Sequence, residues 1–197
     1  MIRRRASLSA LKADLRGVSA VEFGLVAPVL AMTVIGLFDM GYSMYVSSIL
    51  QGALHEAARM ATVGNANGDA INARVRAQLA NVSANGTVTL NTSSYTNFSD
   101  VKMPEKITSD TVPLGTYNVG DCYEDANNNG TYDLDKGKAG FGQADDIVNY
   151  TVTIEYPRLL PVAGLLGWSQ TNKITGSTVL RNQPFAARGT GVTVRCT

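Results

Sequence analysis

Oxygen-bearing side chains recur at alternate positions in the stretch Asp125-Ala-Asn-Asn-Asn-Gly-Thr-Tyr-Asp. Counting from Asp125, the first, third and fifth positions are Asp125, Asn127 and Asn129, the sixth is Gly130, the seventh Thr131 and the ninth Asp133. Side-chain oxygens at those places, a glycine for the sharp turn and a backbone carbonyl at the seventh are what a calcium loop supplies. The twelfth position, where an EF-hand places a bidentate glutamate, is Lys136, and Gly137-Lys-Ala-Gly-Phe-Gly after it does not read as a helix. The pattern therefore predicts a free-standing loop for a structural calcium ion, its shell completed by Asp135, Asp145 or Asp146. The competing reading is an Asx-rich turn, which Asn-Asn-Gly favours without metal.

A second chemical feature is an acid inside an apolar run. Residues 17–38 are uncharged except for Glu22, and Asp39 closes the run. A carboxylate at the edge of hydrocarbon costs several kcal/mol unless it is paired or reaches an interface, so Glu22 marks a functional position. The third feature is the cysteine pair, Cys122 and Cys196, both beyond the apolar run. In an oxidising compartment these would pair and tie the acidic loop to the last strand, and closing so long a loop contributes on the order of 4 kcal/mol in the chain-entropy picture. The sole histidine, His55, has no nucleophile near it, and phosphate loops, nucleophile elbows and His/Cys metal clusters are missing from the sequence. An enzyme is not expected.

The elements that must carry these groups follow from periodicity. Glu22 and Asp39 lie 17 residue steps apart, about 26 Å along a helix, against about 30 Å of bilayer hydrocarbon. Arg3, Arg4, Arg5, Lys12 and Arg16 precede the run, so the positive-inside rule keeps residues 1–17 in the cytoplasm and sends the remainder across. This divides the chain into a basic leader (1–17), a transmembrane helix (18–46) and an exported domain (47–197) with an acidic loop at 121–146. Pro28 removes one helical hydrogen bond and predicts a local kink. The helix continues past the membrane with Tyr42, Tyr45, Ile49, Ala53 and Ala57 on one stripe, and Gly64-Asn-Ala-Asn-Gly stops it. A second helix opens at Asp69 as N-cap and repeats Ile71, Val75 and Leu79 on one face.

From Gly86 the period changes to two. Val148, Tyr150, Val152, Ile154 and Tyr156 alternate with polar residues across 147–156, the pattern of an antiparallel strand with one buried face. Residues 172–182 are its expected partner, and residues 191–196 form a short last strand. Helices first and strands afterwards give an α+β fold, a long helix laid across a small antiparallel sheet. Net charge is +1, hydrophobic residues make up 45% and charged residues 17%. That charged fraction lies below the roughly 25% of ordinary soluble domains. The folded part carries no basic face, so nucleic acid is not an expected partner. The apolar stretch Leu159-Leu-Pro-Val-Ala-Gly-Leu-Leu-Gly-Trp is too short to span a membrane. It reads either as a cap on the core or as an exposed patch that brings Trp168 to lipid headgroups or a partner subunit.

Gly17 followed five residues later by Glu22-Phe23 resembles the processing signal of type IV-like pilins and pseudopilins. The resemblance implies cleavage by a prepilin peptidase between Gly17 and Val18, leaving Glu22 as the fifth residue of the mature chain. Its carboxylate would then pair with the Val18 amine of a neighbouring subunit and set the register of a helix bundle. Arg16-Gly-Val-Ser-Ala-Val-Glu-Phe-Gly-Leu-Val-Ala-Pro-Val-Leu, Gly36-Leu-Phe-Asp-Met-Gly and Leu50-Gln-Gly-Ala-Leu-His-Glu-Ala-Ala-Arg together resemble the TadE-like family of tight-adherence (Flp-type) pilus systems. The likeness spans residues 14–62 and returns at Thr178-Val-Leu-Arg-Asn-Gln-Pro-Phe, where Gln183 stands in place of an expected glutamate. It implies an inner-membrane, pilin-like subunit that assembles or anchors a pilus. Its partners would be other pilin-like subunits, the assembly platform, the prepilin peptidase and membrane lipid. The alternative is a membrane-anchored, calcium-stabilised periplasmic binding or adhesion domain outside any filament.

Overall fold

The computed structural model describes residues 17–63, 67–82, 85–158, 164, 167–182 and 191–196. The basic leader before Gly17, together with Pro161, Gln183 and Pro184, lies outside the described residues. Helix α1 (Val18–Val63) is a single element of 46 residues, about 69 Å long at the usual helical rise. It runs through Pro28 without interruption. Helix α2 (Gly68–Leu79) follows. Its N-cap is Asn67, whose side-chain oxygen accepts from the Ala70 N–H at 2.8 Å, and Asp69 lies inside the first turn. The expected cap at Asp69 is thus displaced by two residues, because Asn67 has the extended backbone that lets its Oδ1 reach a free N–H, while Asp69 sits where its charge favours the helix N-terminus.

The strands are β1 (Thr87–Tyr95), β2 (Ile107–Ser109), β3 (Cys122–Asp125), β4 (Lys138–Ala139), β5 (Ile147–Pro157), β6 (Thr171–Arg181) and β7 (Thr193–Cys196). They form two antiparallel sheets, one ordered β4-β1-β5-β6 and the other β2-β3-β7. The alternation expected of 147–156 is present in β5, where Val148, Tyr150, Val152, Ile154 and Tyr156 are all buried. Its expected partner is β6, paired from Ile147 opposite Arg181 to Pro157 opposite Thr171. The last strand does not join this sheet. It pairs with β3 in the second sheet, with Cys122 directly opposite Cys196. The fold is α+β with two small sheets where one was expected, since the strands of the second are only three or four residues long and leave little alternation to recognise.

The core lies between the helices and the larger sheet. Val46, Leu50, Ala53, Leu54, Ala57 and Ala61 from α1 meet Ile71, Val75 and Leu79 from α2 and the inward face of β5. Gly176 of β6 sits directly beneath α1. A Cβ placed on it would lie 2.7 Å from Leu54 Cδ1 and 3.1 Å from Leu50 Cδ2, so the missing side chain allows helix and sheet to approach. Gly176→Val adds three carbons to this contact, and the expected cost is about 1–3 kcal/mol through overpacking, measured as a lower melting temperature of the full chain in detergent. An unchanged melting temperature would mean that α1 is not seated on β6.

Candidate functional site

The N-terminal part of α1, from Val18 to Met40, contributes no residue to the core among the described residues. No residue from Val18 to Tyr45 is buried, and the first buried position is Val46. Phe23 is 71% exposed, and Val21, Leu25, Val26, Val29, Leu30, Leu37 and Phe38 are also exposed, on all sides of the helix. A helix apolar all round belongs in a membrane or within a bundle of other helices. The segment is long and apolar enough to cross a bilayer. Gly17, Val18, Glu22 and Phe23 lie at its start and are exposed, and Glu22 has no hydrogen-bond or ion-pair partner among the described residues.

A polar clamp marks the place where the folded domain first touches α1. Arg158, just after β5, pairs with Asp39, and both side chains are about one-fifth exposed. The Arg158 Nε–H also donates to the Ser169 carbonyl at 3.0 Å. One turn further along α1, the Tyr156 hydroxyl donates to Ser43 Oγ at 3.3 Å, and Asn172 Nδ2 donates to Ser43 Oγ and to the Tyr156 oxygen. Tyr42 packs edge-on against Tyr156 with ring centres 5.5 Å apart. Asp39 was legible in the sequence as the end of the apolar run. Its partner Arg158 lies 119 residues away, and no local pattern announced it.

The acidic loop brings its predicted residues together. Asp125 is fully buried, and its carboxylate accepts the Gly130 N–H at 2.9 Å, the Asn129 N–H at 3.1 Å and the Arg195 Nε–H at 2.5 Å. Burial by itself would push this carboxyl up. The Gly130 N–H, the Arg195 guanidinium and the Asn129 N–H outweigh it and hold the group below the usual carboxylate range. Asn127 and Asn129 both donate through Nδ2 to Asp133 Oδ2, at 2.7 and 2.6 Å, while the Thr131 N–H and hydroxyl donate to Asn129 Oδ1 at 2.8 Å. Tyr132 stacks on Tyr117 at 4.2 Å, and both pack edge-on against buried Tyr123. The proposed outer acids are otherwise engaged: Asp135 accepts from the Tyr95 hydroxyl, Asp145 pairs with Arg181, and Asp146 accepts the Gln143 N–H.

The acid that does reach the loop is Glu105, which the sequence reading did not single out. It is 2% exposed and accepts the N–H groups of Ala126 at 2.9 Å and Asp133 at 3.1 Å. Burial pushes its carboxyl up, the two N–H groups oppose this, and the charges on Asp125 and Asp133 add to the rise. Among the described residues, no group of three or more histidine, cysteine or acidic side chains has metal-holding geometry. Nearby Asp121 is buried and lies below the usual range because the Thr111 hydroxyl and the Thr111 and Asn118 N–H groups donate to it. Cys122 and Cys196 form a disulfide. It joins β3 to β7 beside the Asp125–Arg195 pair, so a covalent bond and an ion pair close the same two strands. His55 is exposed on α1.

Residues 17–59 match the model of the TadE-like protein family, the family that the sequence resembles. The match begins at Gly17, takes in the whole unpacked part of α1 and the Asp39–Ser43 clamp, and ends before α2. TadE-like proteins are associated with tight-adherence pilus systems and are not an enzyme family. No curated protein and no solved structure matches the chain.

Proposed function

We propose that this chain is a membrane-inserted, pilin-like subunit that assembles or anchors a tight-adherence pilus. One observation carries the reading: from Val18 to Phe38 the helix presents an apolar surface that none of the described residues of the domain buries, in the same segment that matches the TadE-like family. In this reading residues 1–17 are a cytoplasmic leader, residues 18–46 cross the inner membrane, and residues 47–197 form the periplasmic domain. A prepilin peptidase cuts between Gly17 and Val18. The unpartnered Glu22 carboxylate then takes the freed Val18 amine of a neighbouring subunit, because an acid in hydrocarbon is stabilised only by a partner. Other pilin-like subunits, the assembly platform and lipid are the partners, and nucleic acid is not. N-terminal sequencing of the mature protein from cells with an active prepilin peptidase is expected to start at Val18, and Glu22→Gln is expected to abolish piliation without lowering membrane insertion. An intact leader together with normal piliation by Glu22→Gln would support the alternative, a periplasmic binding or adhesion domain that is only anchored.

For the acidic loop we propose a structural calcium ion held by Asp125, Asn127, Asn129, the Thr131 carbonyl and Asp133. The mutual repulsion of Glu105 with Asp125 and Asp133 supports this, since Arg195 pairs with Asp125 and a divalent cation would offset negative charge of the other two. Chelation is expected to lower the melting temperature of the full chain in detergent, and Asp133→Ala to remove that sensitivity. A melting temperature indifferent to calcium would leave Arg195 as the cation that holds Asp125.

A further inference from the structure

Between the two sheets lies a cleft of about 810 Å³, within the range of roughly 300–1,000 Å³ in which proteins hold small ligands. Described residues of both sheets line it: the end of β1 with the turn after it, β4, part of β3, and the residues leading into β7. Lys106, Lys136 and Lys138, three of the five lysines in residues 47–197, converge on this cleft. Asp100, Glu124 and Asp146 line it with them. Three ammonium groups against three carboxylates leave the described lining without net charge, which selects neither an anion nor a cation. The aliphatic side chains of that lining are Ala126, Ala139 and Val192, too little surface to hold an apolar ligand.

Four of these charges are held as pairs. Lys136 Nζ lies 2.7 Å from Asp100 Oδ1, with both side chains about one-fifth exposed. Asn97 Nδ2 donates to the other oxygen of Asp100 at 3.4 Å. Lys106 Nζ lies 3.4 Å from Glu124 Oε1, and the Glu124 N–H donates to the Lys106 carbonyl at 2.9 Å. Each pair sets a donor beside an acceptor, at a spacing close to that of two neighbouring hydroxyl oxygens on a sugar ring. An ammonium keeps further N–H donors after one ion pair, and a carboxylate keeps further lone pairs. One hydroxyl can therefore donate to the carboxylate while its neighbour accepts from the ammonium, and both bonds are of the strong, charge-assisted kind.

We propose that this cleft binds a short, uncharged saccharide, with vicinal hydroxyls on the Asp100–Lys136 and Lys106–Glu124 pairs. The balanced charge excludes a strongly anionic or cationic ligand, and the sparse aliphatic lining excludes a hydrophobic one. What fits is a molecule that both donates and accepts hydrogen bonds at closely spaced oxygens. The site uses none of the groups assigned to membrane insertion or to calcium, so it stands or falls separately from both.

The test uses the full chain in lauryldimethylamine oxide, a detergent without sugar groups. Saturation-transfer NMR reads contact with cellobiose, maltose, lactose and chitobiose, and titration gives the affinity of any that bind. At least one is expected to receive saturation, and inorganic phosphate is expected not to displace it. Lys106→Gln and Glu124→Gln are each expected to weaken that sugar by about tenfold or more. The melting temperature should hold in both variants, because this pair is largely exposed. Absence of saturation in all four sugars would overturn the proposal. Displacement by phosphate would also overturn it and make the three lysines an anion site. Sugar binding undiminished in both variants would place the sugar elsewhere on the chain and overturn it as well.

Discussion

A helix that is apolar on every side is not stable in water, and α1 is of this kind from Val18 to Phe38 but for Glu22, before the domain meets it at Asp39 and its core-facing side becomes buried from Val46 onward. One continuous backbone therefore serves two solvents. In its second half the stripe Val46, Leu50, Ala53, Leu54 and Ala57 is covered by the sheet and α2. In the first half none of the described residues covers it, and a surface of this kind suits lipid or other helices. The rest of the molecule can be understood as a domain built onto the end of such a helix and kept clear of its apolar part.

The contacts at that boundary are polar, unlike the core above them. Asp39 with Arg158, and Ser43 with Tyr156 and Asn172, meet where a membrane helix would leave hydrocarbon. A half-buried ion pair contributes modestly to stability, because desolvation consumes much of its attraction. What it supplies is position: Arg158 bonds Asp39 of α1 through one guanidinium nitrogen and the Ser169 carbonyl through Nε, which ties the helix and the base of the β5–β6 hairpin together. In the second sheet, the disulfide Cys122–Cys196 and the pair of part-exposed Arg195 with buried Asp125 join β3 to β7.

What the sequence made legible was whatever depended on local repetition. The long apolar helix, the buried face of β5, the β5–β6 pairing and the loop from Asp125 to Asp133 all announce themselves by spacing within a dozen residues. The cysteines were legible because only two exist. The second sheet was not, since β2, β3 and β7 are too short to alternate visibly and meet only through long-range pairing. Arg158, Arg195 and Glu105 were missed for the same reason: each acts on a residue far away in the chain, and an isolated charge in a loop looks like any solvated one. Asn67 was passed over for Asp69 because both are good N-caps and only the backbone angle chooses between them.

The central claim is that α1 changes solvent between Asp39 and Val46. Single cysteines placed along it, at Val26, Leu30, Ser48 and Arg59, can be probed in cells with a membrane-impermeant maleimide, the native pair being oxidised. The account predicts that positions 26 and 30 stay unlabelled while 48 and 59 react from the periplasmic side. Equal labelling at all four positions, or labelling at 26 and 30 alone, would contradict it.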